Sequence, residues 1–80
     1  MKAYQHDIQV QVQDQQPVRL TWHGQTYRVQ AVIDEWRAGG RWWLGERPRT
    51  CYLVQAGELT AEVHREDGEG GRWWLARLQD

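Results

Sequence analysis

Six residues, Gly39-Gly40-Arg41-Trp42-Trp43-Leu44, recur letter for letter as Gly70-Gly71-Arg72-Trp73-Trp74-Leu75. The two copies hold four of the six Trp in a chain of 80 residues. Burying one Trp removes roughly 150–250 Å² from water, so these pairs supply either much of the core or the main exposed surface. The chemistry they offer is binding. Alternate residues of a strand share a face, which would set Arg41 beside Trp43 and Arg72 beside Trp74. An indole flanked by a guanidinium can stack a base, worth roughly 1–3 kcal/mol, while the Arg contacts phosphate. The same pair suits a protein interface, where Trp and Arg are the favoured hot-spot residues. Arg47-Pro48-Arg49 follows the first copy, and two Arg held apart by Pro can clamp a phosphate or an acidic side chain. The candidate binding residues are therefore Arg41, Trp43, Arg47, Arg49, Arg72 and Trp74. The plainer reading makes the repeats Trp-bearing strands that plug the ends of a barrel, each entered through Gly-Gly. It makes Arg47-Pro48-Arg49 a solvated loop partnered by Glu46 and other acids.

Catalytic chemistry has little to build on. His6, His23 and His64 are scattered, no pair has the spacing of a metal site, and all three are read as solvent-exposed. Cys51 opens a strand with no oriented base beside it and is read as a buried or half-buried strand residue. Asp34 and Glu35 are adjacent, so on a strand they face opposite ways and form no acid/base dyad. There is no Walker loop, no Rossmann glycine pattern and no nucleophile elbow. A domain this small buries only about 60–65% of its unfolded surface, too little to enclose a deep catalytic pocket. No catalytic residue, metal or cofactor is expected, and a catalytic or sensing use of Cys51 or His64 ranks last.

Composition narrows the partners. Net charge is −1, and Lys2 is the only Lys among ten cations, the rest being Arg. The acids are spread along the chain, so there is no uniform basic field for duplex DNA. A near-zero net charge favours a protein partner slightly over single-stranded nucleic acid. A single Cys excludes a disulfide within the chain and a Cys-rich zinc site, and suits a reducing compartment. The first seven residues contain no apolar run, and no stretch approaches the roughly 20 apolar residues of a membrane span. A cytoplasmic protein is expected, with no membrane contact and no small-molecule substrate.

The elements that must position these side chains are strands. Ile8, Val10 and Val12 alternate with Gln, and Asp14-Gln15-Gln16-Pro17 closes that strand as a turn. Val18, Leu20 and Trp22 alternate next, and His23-Gly24 suits a two-residue hairpin turn. If Trp22 faces Gln25, then Leu20 faces Tyr27, Val18 faces Val29, and every apolar residue falls on one face. From Tyr27 to Ala38 a long, bent strand is expected, with up to one helical turn around Asp34-Glu35-Trp36. Tyr52 and Val54 pair by parity with Leu59, Ala61 and Val63 across a turn at Ala56-Gly57-Glu58. A Gly-rich loop, 65–71, leads to a last strand, Arg72 to Leu78. In that strand Trp74, Ala76 and Leu78 would share one face, while Trp73 and Leu75 share the other. Five or six short antiparallel strands with tight turns indicate one all-β domain over residues 1–80, a small barrel or roll of SH3-like size. Closure would also cover strand edges rich in Val and Trp.

The order of landmarks is also telling: Trp22-His23-Gly24-Gln25-Thr26-Tyr27-Arg28-Val29, Ile33-Asp34-Glu35-Trp36, Gly40-Arg41-Trp42-Trp43, Arg49-Thr50-Cys51-Tyr52, and Trp73-Trp74-Leu75-Ala76-Arg77-Leu78-Gln79-Asp80. Over nearly the whole chain it resembles a small bacterial domain family of uncharacterised function, found stand-alone in Deinococcus-type and actinobacterial genomes. It is similar to the C-terminal module of ImuB-like proteins, the inactive Y-family polymerase relatives of translesion synthesis. The resemblance implies a setting in DNA-damage tolerance or repair and a non-catalytic adaptor role, and it carries over no catalytic residue. This chain lacks the polymerase body, so a polymerase-linked role would act in trans. The stretch Gln16-Pro17-Val18-Arg19-Leu20 lacks the terminal aromatic of a sliding-clamp peptide. The expected function is a non-catalytic binding module whose Arg/Trp surface takes a protein partner, single-stranded nucleic acid, or both. The alternative is a purely structural or regulatory small protein without nucleic-acid contact.

Overall fold

Three two-residue turns set the strand pairing. Asp14-Gln15 and His23-Gly24 take positive φ at both central positions (53° and 65°, 51° and 74°). That is the twist-matched turn that antiparallel hairpins prefer. Gly57-Glu58 is the third turn, and it brings Ala56 opposite Leu59. A computed structural model describes residues 2–40, 42–68 and 71–79. Its strands are β1 (Lys2–Asp7), β2 (Gln9–Gln13), β3 (Gln16–Trp22), β4 (Gln25–Ala38), β5 (Arg49–Ala56), β6 (Leu59–Glu66) and β7 (Trp73–Gln79), with one 3₁₀ turn at Trp42–Leu44.

All pairings are antiparallel, in the order β1-β7-β6-β5-β4-β3-β2. The two ends of that order are consecutive in the chain. β1 lies on β7 and β2 on β3, with Ile8 between them donating its N–H to the Trp73 carbonyl at 3.3 Å. Taken as one bent strand, β1 and β2 make this a six-stranded, all-β half-barrel. β4 turns the corner with irregularities between Val29 and Ala31 and between Val32 and Asp34, since an extra residue on one strand bends it and sharpens its twist. Its first residues therefore pair with β3 and the remainder with β5.

The core lies on the inner face. Tyr52, Val54 and Ala56 of β5, Ala61 and Val63 of β6, and Leu75 and Leu78 of β7 are buried against Leu20 of β3. The β2–β3 hairpin is tied to this face where the Tyr52 hydroxyl donates to the Gln15 carbonyl at 3.3 Å. Burial holds the Tyr52 phenol above its ordinary pKa, so it remains a donor.

Several expectations meet the structure directly. The β3–β4 register pairs Trp22 with Gln25 and Leu20 with Tyr27, as alternation requires. β4 is extended throughout, with no helical turn at 34–36; ladder pairing with β5 over Val29–Ala38 outweighs the helical spacing of its apolar residues. The first Gly-Gly-Arg-Trp-Trp-Leu copy is not a strand. β4 and β5 pair with each other as far as Ala38 and Arg49, so Trp42–Leu44 fall in their connection and form the 3₁₀ turn. The strand face expected to unite Arg41 with Trp43 does not form from this copy, and Arg41 itself lies outside the described residues. Trp73, Trp74 and Leu75 of the second copy are extended in β7, between β6 and β1. There Val63 faces Leu75 and Glu62 faces Arg77, leaving Ala76 as the extra residue of a bulge. The bulge reverses parity, so Leu78 joins Leu75 in the core rather than following Trp74. Strand β1 was not expected, because Lys2–Asp7 has no apolar alternation. Backbone pairing with β7 makes it a strand.

Candidate functional site

The outer face of β4–β7 carries a trough of about 1200 Å³. Register builds its floor, because residues directly opposite in an antiparallel ladder share a face. Trp36, Cys51, His64, Trp74 and Asp7 stand opposite one another in turn across β4, β5, β6, β7 and β1. Trp36 and Trp74 are three strands apart, about 14 Å at the usual strand spacing, and wall a floor made of Cys51 and His64. A second row sets Ala38, Arg49 and Glu66 beside it, and Gly45, Glu46 and Arg47 form the rim above.

The second glycine of each repeat closes a loop at this end. A Cβ on Gly40 would stand 2.4 Å from the Arg47 carbonyl oxygen, and one on Gly71 would stand 1.9 Å from that of Glu66. Both backbones approach more closely than any other residue type permits. The two loops are laced together. Asp67 N–H donates to the Pro48 carbonyl at 2.9 Å, the Thr50 hydroxyl donates to the Asp67 carboxylate at 2.8 Å, and Arg37 pairs with Asp67. Arg47 reaches Glu66 at 3.5 Å. Across the trough the Arg72 guanidinium lies 5.6 Å from the Trp74 ring centroid and 3.6 Å from Asp7. These last contacts are exposed and add about 0.5–1 kcal/mol at most.

His64 is only 8% exposed. Its Nε2 lies 2.6 Å from the Glu62 carboxylate, and Trp74 packs edge-on against the ring at 5.5 Å. A carboxylate only accepts, so Nε2 carries the proton and Nδ1 keeps its lone pair. Burial lowers the imidazole pKa, and this outweighs the opposing pull of Glu62. His64 is therefore neutral at pH 7. The Nδ1 atom is buried without a hydrogen-bond partner, as is Nε of Arg49. Cys51 is 1% exposed. Burial pushes its thiol pKa up, and the hydrogen bond and charge of Arg49 only partly offset this, so it is a protonated thiol rather than a thiolate nucleophile. Among the described residues no three His, Cys, Asp or Glu stand together as a metal would need.

Burial of His64 makes the stability of the fold depend on pH. The folded pKa of His64 lies below the unfolded value, so the unfolded chain binds the proton first as pH falls. The stability contribution of neutral His64 is complete above about pH 6.5 and is lost as pH drops through the window between the two pKa values. Denaturant titrations at pH 7.5 and 5.5 should show lower stability at the acid value. His64→Asn should have a shallower slope over that interval, and equal slopes would show that His64 is not the group responsible.

A family model described as a domain of unknown function, DUF6504, matches residues 2–80. The chain belongs to the DUF6504 family. No curated protein and no solved structure matches it. No helix among the described residues is long and apolar enough to cross a membrane.

In this DUF6504 domain, four of the six residues singled out in the sequence, Arg47, Arg49, Arg72 and Trp74, line one trough. Trp43 is not in its lining; it projects from the 3₁₀ turn, 64% exposed. Arg47 is in the loop and Arg49 opens β5, and both line the trough. His64, read as solvent-exposed, is buried because Trp74 covers it; His23 is exposed. Trp36, Glu62, His64 and Arg77 also line the trough and were not among the candidates. The signal for His64 was available. Counting back from Ala56 opposite Leu59 places Cys51 opposite His64.

Proposed function

We propose that the chain is a non-catalytic binding module that holds a segment of a protein partner in the trough. The carrying observation is the composition of that concavity. Trp36 and Trp74 wall it, and its charges cancel: Arg47, Arg49, Arg72 and Arg77 against Asp7, Glu46, Glu62 and Glu66. A phosphate backbone laid there would meet as many anions as cations, whereas a polypeptide with mixed polar and apolar groups would not be repelled. The non-catalytic reading is supported by the protonated, buried Cys51 thiol. The resemblance to the C-terminal module of ImuB-like proteins, and to stand-alone bacterial relatives, supports a cytoplasmic adaptor in DNA-damage tolerance. Single-stranded nucleic acid is the second reading, favoured by the Arg72–Trp74 contact.

Iodide quenching of Trp fluorescence separates the two, with Trp74→Phe as the control that removes the trough indole. Peptides selected from a random display library should protect Trp74, with little change as salt rises, and a short single-stranded oligonucleotide should not. Protection by the oligonucleotide that disappears at higher salt would replace the protein reading with the nucleic-acid one. Protection by neither would sink the trough as a binding site.

A further inference from the structure

We infer that the trough floor recognises an amide, which accepts a hydrogen bond from Arg49 Nε–H and donates one to His64 Nδ1 between the Trp36 and Trp74 walls. The inference rests on the reading of the trough as a binding site and names the group that fills its floor.

Buried polar atoms are nearly always hydrogen-bonded, and each exception calls for a water or a ligand group to complete it. Two such atoms belong to this floor. One is Nδ1 of His64, a side chain nine-tenths buried; the other is Nε of Arg49. Their chemistry is complementary. Nε–H of Arg only donates, and Nδ1 of His64 only accepts, because Nε2 carries the proton to Glu62. The two side chains sit in different rows of the ladder, Arg49 opposite Glu66 and His64 opposite Cys51. They therefore mark two points of the trough, one a donor and one an acceptor, which suits a ligand that carries both an acceptor and a donor. An amide has both and carries no charge, as the balanced trough prefers. A carboxylate or phosphate brings only acceptors and would leave Nδ1 facing a second lone pair. Both protein atoms are covered, so the half-buried Arg49 side chain must shift as the amide enters.

The test uses the whole chain and three small probes of one shape: acetamide, methyl acetate, which lacks the donor, and acetate, which lacks it and is charged. ¹⁵N spectra of the histidine rings report Nδ1 of His64 directly. Acetamide should move that signal in the direction of an accepted hydrogen bond and bind about tenfold more tightly than methyl acetate, since one net hydrogen bond separates them. Arg49→Lys keeps the charge but removes the Nε–H, and should weaken acetamide by a similar factor while circular dichroism shows the fold intact. An equal response to methyl acetate, a stronger one to acetate, or a Nδ1 signal unmoved by all three would overturn the inference. Selected peptides that protect Trp74 without moving Nδ1 would overturn it too, while leaving the trough as a binding site. Trp74 unmoved by any peptide would instead overturn the site itself.

Discussion

Gly71→Ala is expected to destabilise the fold by about 3 kcal/mol or more, whereas Gly39→Ala should be close to neutral. Both glycines belong to copies of one motif, Gly39 as its first residue and Gly71 as its second. Their surroundings differ. The new Cβ at position 71 would stand 1.9 Å from the Glu66 carbonyl oxygen and 3.2 Å from that of Gly68. Neither obstacle is the end of a flexible side chain, so the backbone itself must move. The displaced loop carries Gly71 N–H to Gly68 O and Glu66 N–H to Arg72 O, so hydrogen bonds would be lost with the steric relief. Gly40→Ala meets the Arg47 carbonyl and should also be costly. At Gly39 nothing lies within 4 Å of the added carbon, and the reduced freedom of the unfolded chain offsets any small loss. Urea denaturation of the three variants decides the matter. A stable Gly71→Ala protein with an unshifted midpoint would mean that the loop is not closed as described.

The second large effect separates two adjacent indoles. Trp73→Ala should cost about 3 kcal/mol in stability, near the lower end for aromatic truncation because the ring is only partly buried. Trp73 stacks on Tyr52 at 5.6 Å between ring centroids, packs against the core cluster and lies under Arg65. Trp74→Ala removes a ring on the opposite face, where its contacts are His64 and Arg72. It should cost about 1–2 kcal/mol, leave a folded protein, and abolish capture of trough-selected peptides, as loss of a central aromatic anchor does. Denaturation curves and peptide binding measured on the same two variants form the check. The reverse pattern, with Trp74→Ala unfolding and Trp73→Ala losing only binding, would place the core on the other face of β7.

How much was legible follows from the range of each signal. Hairpins were legible because their signals are local: alternation in Val18–Trp22, a turn pair at His23-Gly24 and another at Gly57-Glu58. Arg47, Arg49, Arg72 and Trp74 were legible as candidates because their residue types suit binding. Their assembly into one trough was not, since it depends on pairing across four strands. The bulge at Ala76 was invisible to parity counting, and it decides that Leu78 is core. β1 was missed because a strand held mainly by backbone pairing leaves no side-chain pattern.

The repeated Gly-Gly-Arg-Trp-Trp-Leu marks the boundary between the two kinds of information. By itself the sequence determined an all-β chain, the register of the hairpin at His23-Gly24 and a concentration of Trp and Arg, because alternation and turn chemistry act over a few residues. The tertiary structure decided what each copy became. One connects two strands that already pair with each other and coils into a turn; the other has β6 on one side and β1 on the other and is drawn into the sheet. Identical residues took different conformations because backbone hydrogen bonds, not side-chain identity, were satisfied differently at the two places. The same pairing sets Trp36, Cys51, His64 and Trp74 in one row, and no local feature of the chain announces that row.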